Sequence, residues 1–105
     1  MSRDFSDFPI FGGKPDEDVV AFAKEIRAKL AILKMRIKSI LQDLENAGDD
    51  VDVNPRIKDF VVMLFKDEAL TWFINLGEAV VNQLVTWDAI KTLFLLGFLG
   101  IYLRL

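Results

Sequence analysis

Residues 16–48 read DEDVVAFAKEIRAKLAILKMRIKSILQDLENAG, and this stretch decides the fold class. Val19, Ala23, Ile26, Leu30, Leu33, Ile37, Ile40 and Leu44 step alternately by four and three residues. That spacing lays one continuous apolar stripe along a helix. Asp16, Glu17 and Asp18 stand before it, where carboxylates meet unpaired amides and the positive end of the helix dipole. Asn46-Ala47-Gly48 closes it with residues suited to a left-handed stop. The pattern predicts a single long helix over about residues 16–46.

The alternating step also fits a coiled coil, so the flanking positions discriminate. With Ala23 at a and Ile26 at d, Arg27 and Lys34 fall at e, while Lys29 and Arg36 fall at g. Homodimeric coils place opposite charges there, and these positions set like against like in either orientation. The stripe is therefore expected to pack on helices of its own chain.

Downstream, Gly48-Asp49-Asp50-Val51-Asp52-Val53 is an acidic loop. Asn54 suits an N-cap and Pro55 the first helical position, predicting a second helix over about 55–65. A third, over about 67–77, starts at Asp67-Glu68 and carries Ala69, Trp72, Phe73 and Leu76; Glu78 to Val85 extends it or forms a separate turn. Thr86 caps a fourth, over about 87–102, with Ile90, Phe94, Phe98 and Ile101 along one face. No strand pattern or internal repeat is evident. The expectation is an all-α fold, a small bundle of four or five helices in residues 16–105. Its core would hold Ile26, Leu30, Leu33, Ile57, Phe60, Leu64, Trp72, Trp87, Ile90 and Phe94.

Upstream, residues 1–15 have turn chemistry and aromatics but no helical period. Phe5, Phe8, Ile10 and Phe11 are too apolar for a solvated tail; Pro9 favours extended backbone at Phe8, and Gly12-Gly13 then breaks the chain. These residues read as an extended arm docked on an apolar surface.

Composition narrows function. The 105 residues contain no cysteine and no histidine, which removes disulfides, thiolate chemistry, imidazole bases and the common zinc ligands. Net charge is −3, yet after Glu68 the only charged residues are Glu78, Asp88, Lys91 and Arg104. The uncharged run Thr92–Leu103 has twelve residues, against roughly 20 needed to span a bilayer. The N-terminus lacks the apolar core of a signal peptide, so a cytoplasmic or nuclear protein is expected.

No motif supplies a reaction. Asp50-x-Asp52-x-Asn54 begins like a calcium loop, but Pro55 and Val61 occupy the positions that need glycine and glutamate. Gly12-Gly13-Lys14 lacks the remainder of a phosphate loop. The chain reads as a non-enzyme without cofactor or metal. Lys24, Arg27, Lys29, Lys34, Arg36 and Lys38 crowd one stretch of the first helix beside a single acid, Glu25. Lys24, Arg27, Lys34 and Lys38 then form a basic strip, read first as a solvated face, since no aromatics interleave it for nucleic acid. The last helix is apolar on more than its core face. Leu95, Leu96, Leu99 and Leu103 are expected to meet a partner.

The run Phe65-Lys66-Asp67-Glu68-Ala69-Leu70-Thr71-Trp72-Phe73, then Thr86-Trp87-Asp88-Ala89-Ile90 with Phe94 and Phe98, resembles the Gag capsid domain of Ty3/gypsy-type LTR retrotransposons. That family has a leucine-x-glycine-x-alanine-x-x-tryptophan helix followed by a threonine/serine-tryptophan helix. Phe8-Pro9-Ile10-Phe11-Gly12-Gly13 and the acidic start at Asp16–Asp18 resemble its opening segment, so the similarity spans most of residues 8–98. Phe65 and Asp67 depart from it, standing where the family usually has leucine and glycine. The second capsid lobe and the zinc knuckle have no counterpart here, so RNA packaging is not carried over.

The resemblance implies a capsid N-terminal lobe, a structural module that self-associates, or joins an adjoining lobe, to build an oligomer or virus-like particle. Domesticated Gag relatives imply an alternative, an adaptor whose apolar groove takes an extended peptide; here the Phe8–Phe11 arm would fill it in cis. A membrane-associated helical protein is the remaining alternative.

Overall fold

The computed structural model describes residues 5–103, with side chains through Phe98. The architecture is all-α. Among the described residues, six helices run α1 (Val19–Ala28), α2 (Leu30–Glu45), α3 (Ile57–Val61), α4 (Asp67–Ile74), α5 (Glu78–Val81) and α6 (Trp87–Leu103), and 3-10 turns at Asn54–Arg56 and Val62–Leu64 flank α3.

The expected long first helix is divided. At Lys29 the backbone turns to φ −102° and ψ 10°, and its N–H is shared between the carbonyls of Glu25 and Ile26, both at 3.1 Å. Such three-centre bonds mark helix ends, so the first turn of α2 restarts from a tightened last turn of α1. The start also moves. Asp18 is the N-cap, its carboxylate accepting the Ala21 N–H at 3.0 Å, whereas Glu17 turns back and accepts the N–H groups of Gly12 and Lys14.

The buried stripe is Val19, Phe22, Ala23, Ile26, Leu30, Leu33, Ile37 and Leu41. It leaves the anticipated one after Ile37: Ile40 is half-buried and Leu44 is exposed. From Ile37 the buried face continues by a step of four to Leu41, where the expected alternation steps by three to Ile40, and Leu44 lies in the last turn of α2.

The second helix is shorter and capped differently. Asn54 donates its own N–H and its side-chain amide to the Asp52 carboxylate, so Asp52 stabilises this turn and Asn54 does not cap it. Arg56 then reaches back to Glu45, at 3.0 and 3.1 Å, and forward to Asp59 at 2.9 Å, clasping the end of α2 to the start of α3. The third predicted helix ends at Ile74, and Gly77, at φ 86°, separates it from α5. Thr86 caps α6 through the Ala89 N–H, as its sequence position suggests.

Most of the anticipated core is buried; Phe60 and Trp72 are half-buried. Its centre is a phenylalanine that helical periodicity does not reach. Phe11 is 1% exposed, and its ring lies 5.2 Å from those of Phe94 and Phe98, both edge-on, and 5.4 Å from Phe22. Its backbone pairs like a strand with the link between α3 and α4: Phe11 N–H donates to Leu64 O at 2.8 Å, and Lys66 N–H donates to Phe11 O at 2.9 Å. Gly13 follows at φ 79°, where a Cβ would lie 2.9 Å from the Ala69 nitrogen, so the arm leaves the core through a position open only to glycine.

Extended backbone alternates sides, and Ile10, 58% exposed, therefore points away from the pocket that takes Phe11. Truncating a buried phenylalanine costs about 3–5 kcal/mol, whereas exposed positions change stability by about 0.5 kcal/mol or less. Phe11→Ala is accordingly expected to shift the urea midpoint far more than Ile10→Ala, with tryptophan fluorescence as the readout. Equal midpoints for the two variants would place the arm outside the cooperative fold.

Candidate functional site

Three regions are candidates for function: the groove holding the arm, and two clefts flanking α6. The arm is held by charge as well as by burial. Arg36 grips the Asp7 carboxylate with two nitrogens, at 2.6 and 2.8 Å, and Lys29 Nζ donates to the Asp7 carbonyl. Both cations also face the ring of Phe8, at 5.3 Å for Arg36 and 5.8 Å for Lys29, in cation–π geometry. Phe8 is buried beneath them, and Phe5 is half-buried between Phe8 and Phe60 at ring separations of 5.7 and 5.9 Å. Of the four arm residues anticipated to dock, Phe5, Phe8 and Phe11 face the bundle and Ile10 does not.

The anticipated basic strip is not one surface. Lys24 and Arg27, both exposed on α1, line a cleft of about 280 Å³ together with Lys91 of α6, over a floor of Val20, Ala23 and Leu95. Lys38 is half-buried beside Met35, Ser39, Gln42 and Asp49 in a separate shallow depression. Lys34 lines neither. Helical spacing alone joins these four residues only if the helix is continuous, and the break at Lys29 removes that condition. Lys91 lies 67 positions beyond Lys24 in the chain, and no local pattern pairs the two.

The anticipated partner surface also divides. Leu96 is 70% exposed beside a cleft of about 420 Å³ formed by α5, the loop after it and α6, with Val80, Leu84, Ala89 and Leu93 as apolar lining. Leu95, one residue away and so about 100° round the helix, belongs to the α1–α6 cleft instead. The side chains of Leu99 and Leu103 lie outside the described residues. The apolar excess of α6 thus serves a core face (Trp87, Ile90, Phe94 and Phe98) and two outer faces. Gly97 admits the Trp72 indole, whose Nε1 would lie 2.8 Å from a Cβ there.

Among the described residues no group of three or more acidic, histidine or cysteine side chains is placed to hold a metal ion, and no helix is long and apolar enough to cross a membrane. No protein-family model, curated protein or solved structure matches the chain.

The carboxylates that organise these regions titrate low. Hydrogen bonding from Arg36 holds Asp7 below its ordinary 3.8, and the Gly12 N–H foremost, then that of Lys14, holds Glu17 below 4.5. Hydrogen bonding from Arg56 lowers Glu45 likewise. A carboxylate with a depressed folded pKa contributes stability above its unfolded pKa and loses it as pH falls through the folded one. The Asp7 clasp is therefore intact at neutral pH and released in acid. In an NMR titration the Asp7 carboxyl carbon is expected to turn below pH 3.8 in the wild type and to move upward in Arg36→Ala. A midpoint unaltered by Arg36→Ala would mean that the pair does not persist in solution.

Proposed function

We propose that this chain is a non-enzymatic association module of the Gag capsid N-terminal lobe type, joining copies of itself into an oligomer or particle through the α5–α6 side of the bundle. The observation that carries this reading is Leu96, a large apolar side chain 70% exposed at the edge of an apolar cleft. Val80, which lines the same cleft, adds exposed apolar surface at 36%.

Two backbone features support the capsid-lobe resemblance. Asp67 stands where that family usually has glycine, and its φ is 49°, in the region that favours glycine. The segment resembling the family's opening phenylalanine-x-glycine piece is the one that inserts Phe11 into the core and turns at Gly13. A cytoplasmic site of action, including the interior of virus-like particles, goes with this reading.

A peptide-binding adaptor is the second reading, favoured by the backbone pairing of the arm. The link between α3 and α4 accepts an extended aromatic segment through Leu64 O and Lys66 N–H, and a ligand of that kind would have to displace Phe8 and Phe11.

Stable interfaces bury about 1,200–2,000 Å², more than one small cleft and Leu96 supply, so pairwise association is expected to be weak and to grow with concentration. Light scattering over a concentration series should give a rising mean mass. Leu96→Glu should weaken association at least about tenfold, or about 1.4 kcal/mol, with unchanged helical content. A strict monomer at every concentration would contradict self-association, and a rising mass unmoved by Leu96→Glu would contradict this face.

A further inference from the structure

We infer that the cleft between α1 and α6 binds a short acidic peptide segment that inserts one apolar side chain between its charges. The site is built by two helices. Lys24 and Arg27 project from α1 on one wall, Lys91 from α6 on the other, and Val20, Ala23 and Leu95 form an apolar floor between them.

The charges are available. Arg36, Lys29 and Arg56 are committed to Asp7, Glu25, and Glu45 with Asp59. Lys24 and Arg27, by contrast, have no carboxylate within ion-pair distance among the described residues. Among the described residues Lys91 has only Asp88, at 3.7 Å, and that carboxylate is 78% exposed. In a chain of net charge −3 these cations form a local positive site.

The shape selects among anions. A bare inorganic anion would leave the floor uncovered. A single-stranded nucleic acid stacks its bases on aromatic side chains, and none of the described lining residues is aromatic. The cleft, about 280 Å³, sits near the lower bound for small-ligand pockets and suits one large apolar side chain with its backbone. Cations on both walls fit acidic residues on both sides of that anchor. Ala23 supplies the depth, since a larger residue there would fill the floor.

The inference is independent of the self-association reading, because Leu95 and Leu96 face different sides of α6 and line different clefts. Affinity should be on the order of 100 µM, falling as salt screens the exposed charges.

The test uses the full chain and a synthetic peptide, Glu-Asp-Leu-Glu-Asp with blocked ends, followed by NMR of the methyl groups of Val20, Ala23 and Leu95. Saturable shifts confined to these methyls are expected. Replacing the peptide leucine by serine, or introducing Lys24→Glu with Arg27→Glu, should weaken binding at least tenfold, while Leu96→Glu leaves it unchanged. The serine peptide tests the floor on unaltered protein, so a folding defect in the double variant cannot decide the outcome. Equal binding of the serine peptide, displacement of the peptide by oligouridine at the same methyls, or no saturable shift at millimolar peptide would each overturn the inference.

Discussion

The insertion of Phe11 is the constraint on which the other packing depends. One ring touches α1 through Phe22 and α6 through Phe94 and Phe98, while its backbone pairs with the link between α3 and α4. Phe65, on that link, stacks on Phe94 at 5.4 Å with an interplanar angle of 16°, and Trp72 of α4 meets Phe98 at 5.1 Å. Without the arm, the helices would surround a hole the size of a phenylalanine. The burial of one such side chain contributes about 1.5–3 kcal/mol, and each favourable ring pair adds about 0.5–1.5 kcal/mol. A domain of this size is stable by only about 5–15 kcal/mol in all, so the arm belongs to the fold as much as any helix does.

The same contact explains where the sequence was legible. Apolar periodicity located the helices in order, because burial of one face is what a helix in a small bundle needs and what its spacing records. It placed Ile90, Phe94 and Phe98 on one face of α6, the side chain of Ile101, expected on the same face, lying outside the described residues, and Ile26, Leu30 and Leu33 on one face of the first two helices. It missed features set by distant partners. The break at Lys29 coincides with the residue whose side chain reaches the Asp7 carbonyl, 22 positions away. Glu17 stands where a helix start is expected and instead braces the Gly12–Lys14 turn. Of the expected arm, the described part from Phe5 onward was legible as docked by composition, but which side chains go inward follows from a strand-like pairing to Leu64 and Lys66 that has no local signature.

The candidate surfaces were legible in kind and less so in detail. An apolar excess on the last helix was evident from Leu93, Leu95, Leu96 and Leu99, yet its division between two clefts depends on the placement of α1 and α5. Of the six clustered cations, Lys24, Arg27, Lys34 and Lys38 invited a single strip. In the fold, Arg36 and Lys29 hold the arm, Lys24 and Arg27 join Lys91 across α6, and Lys38 stands apart. A charge run in sequence records solvent exposure, and only tertiary structure decides which charges share a partner.

Both functional readings describe a protein that acts by contact, with a core closed by its own N-terminal segment and outer apolar faces left on α6. The most direct measurement of the central claim is electron microscopy of the purified chain at high protein concentration and high salt, where screening removes charge repulsion and apolar contacts persist. The account predicts shells, tubes or other regular assemblies. A field of uniform single particles of monomer size under all such conditions would contradict it.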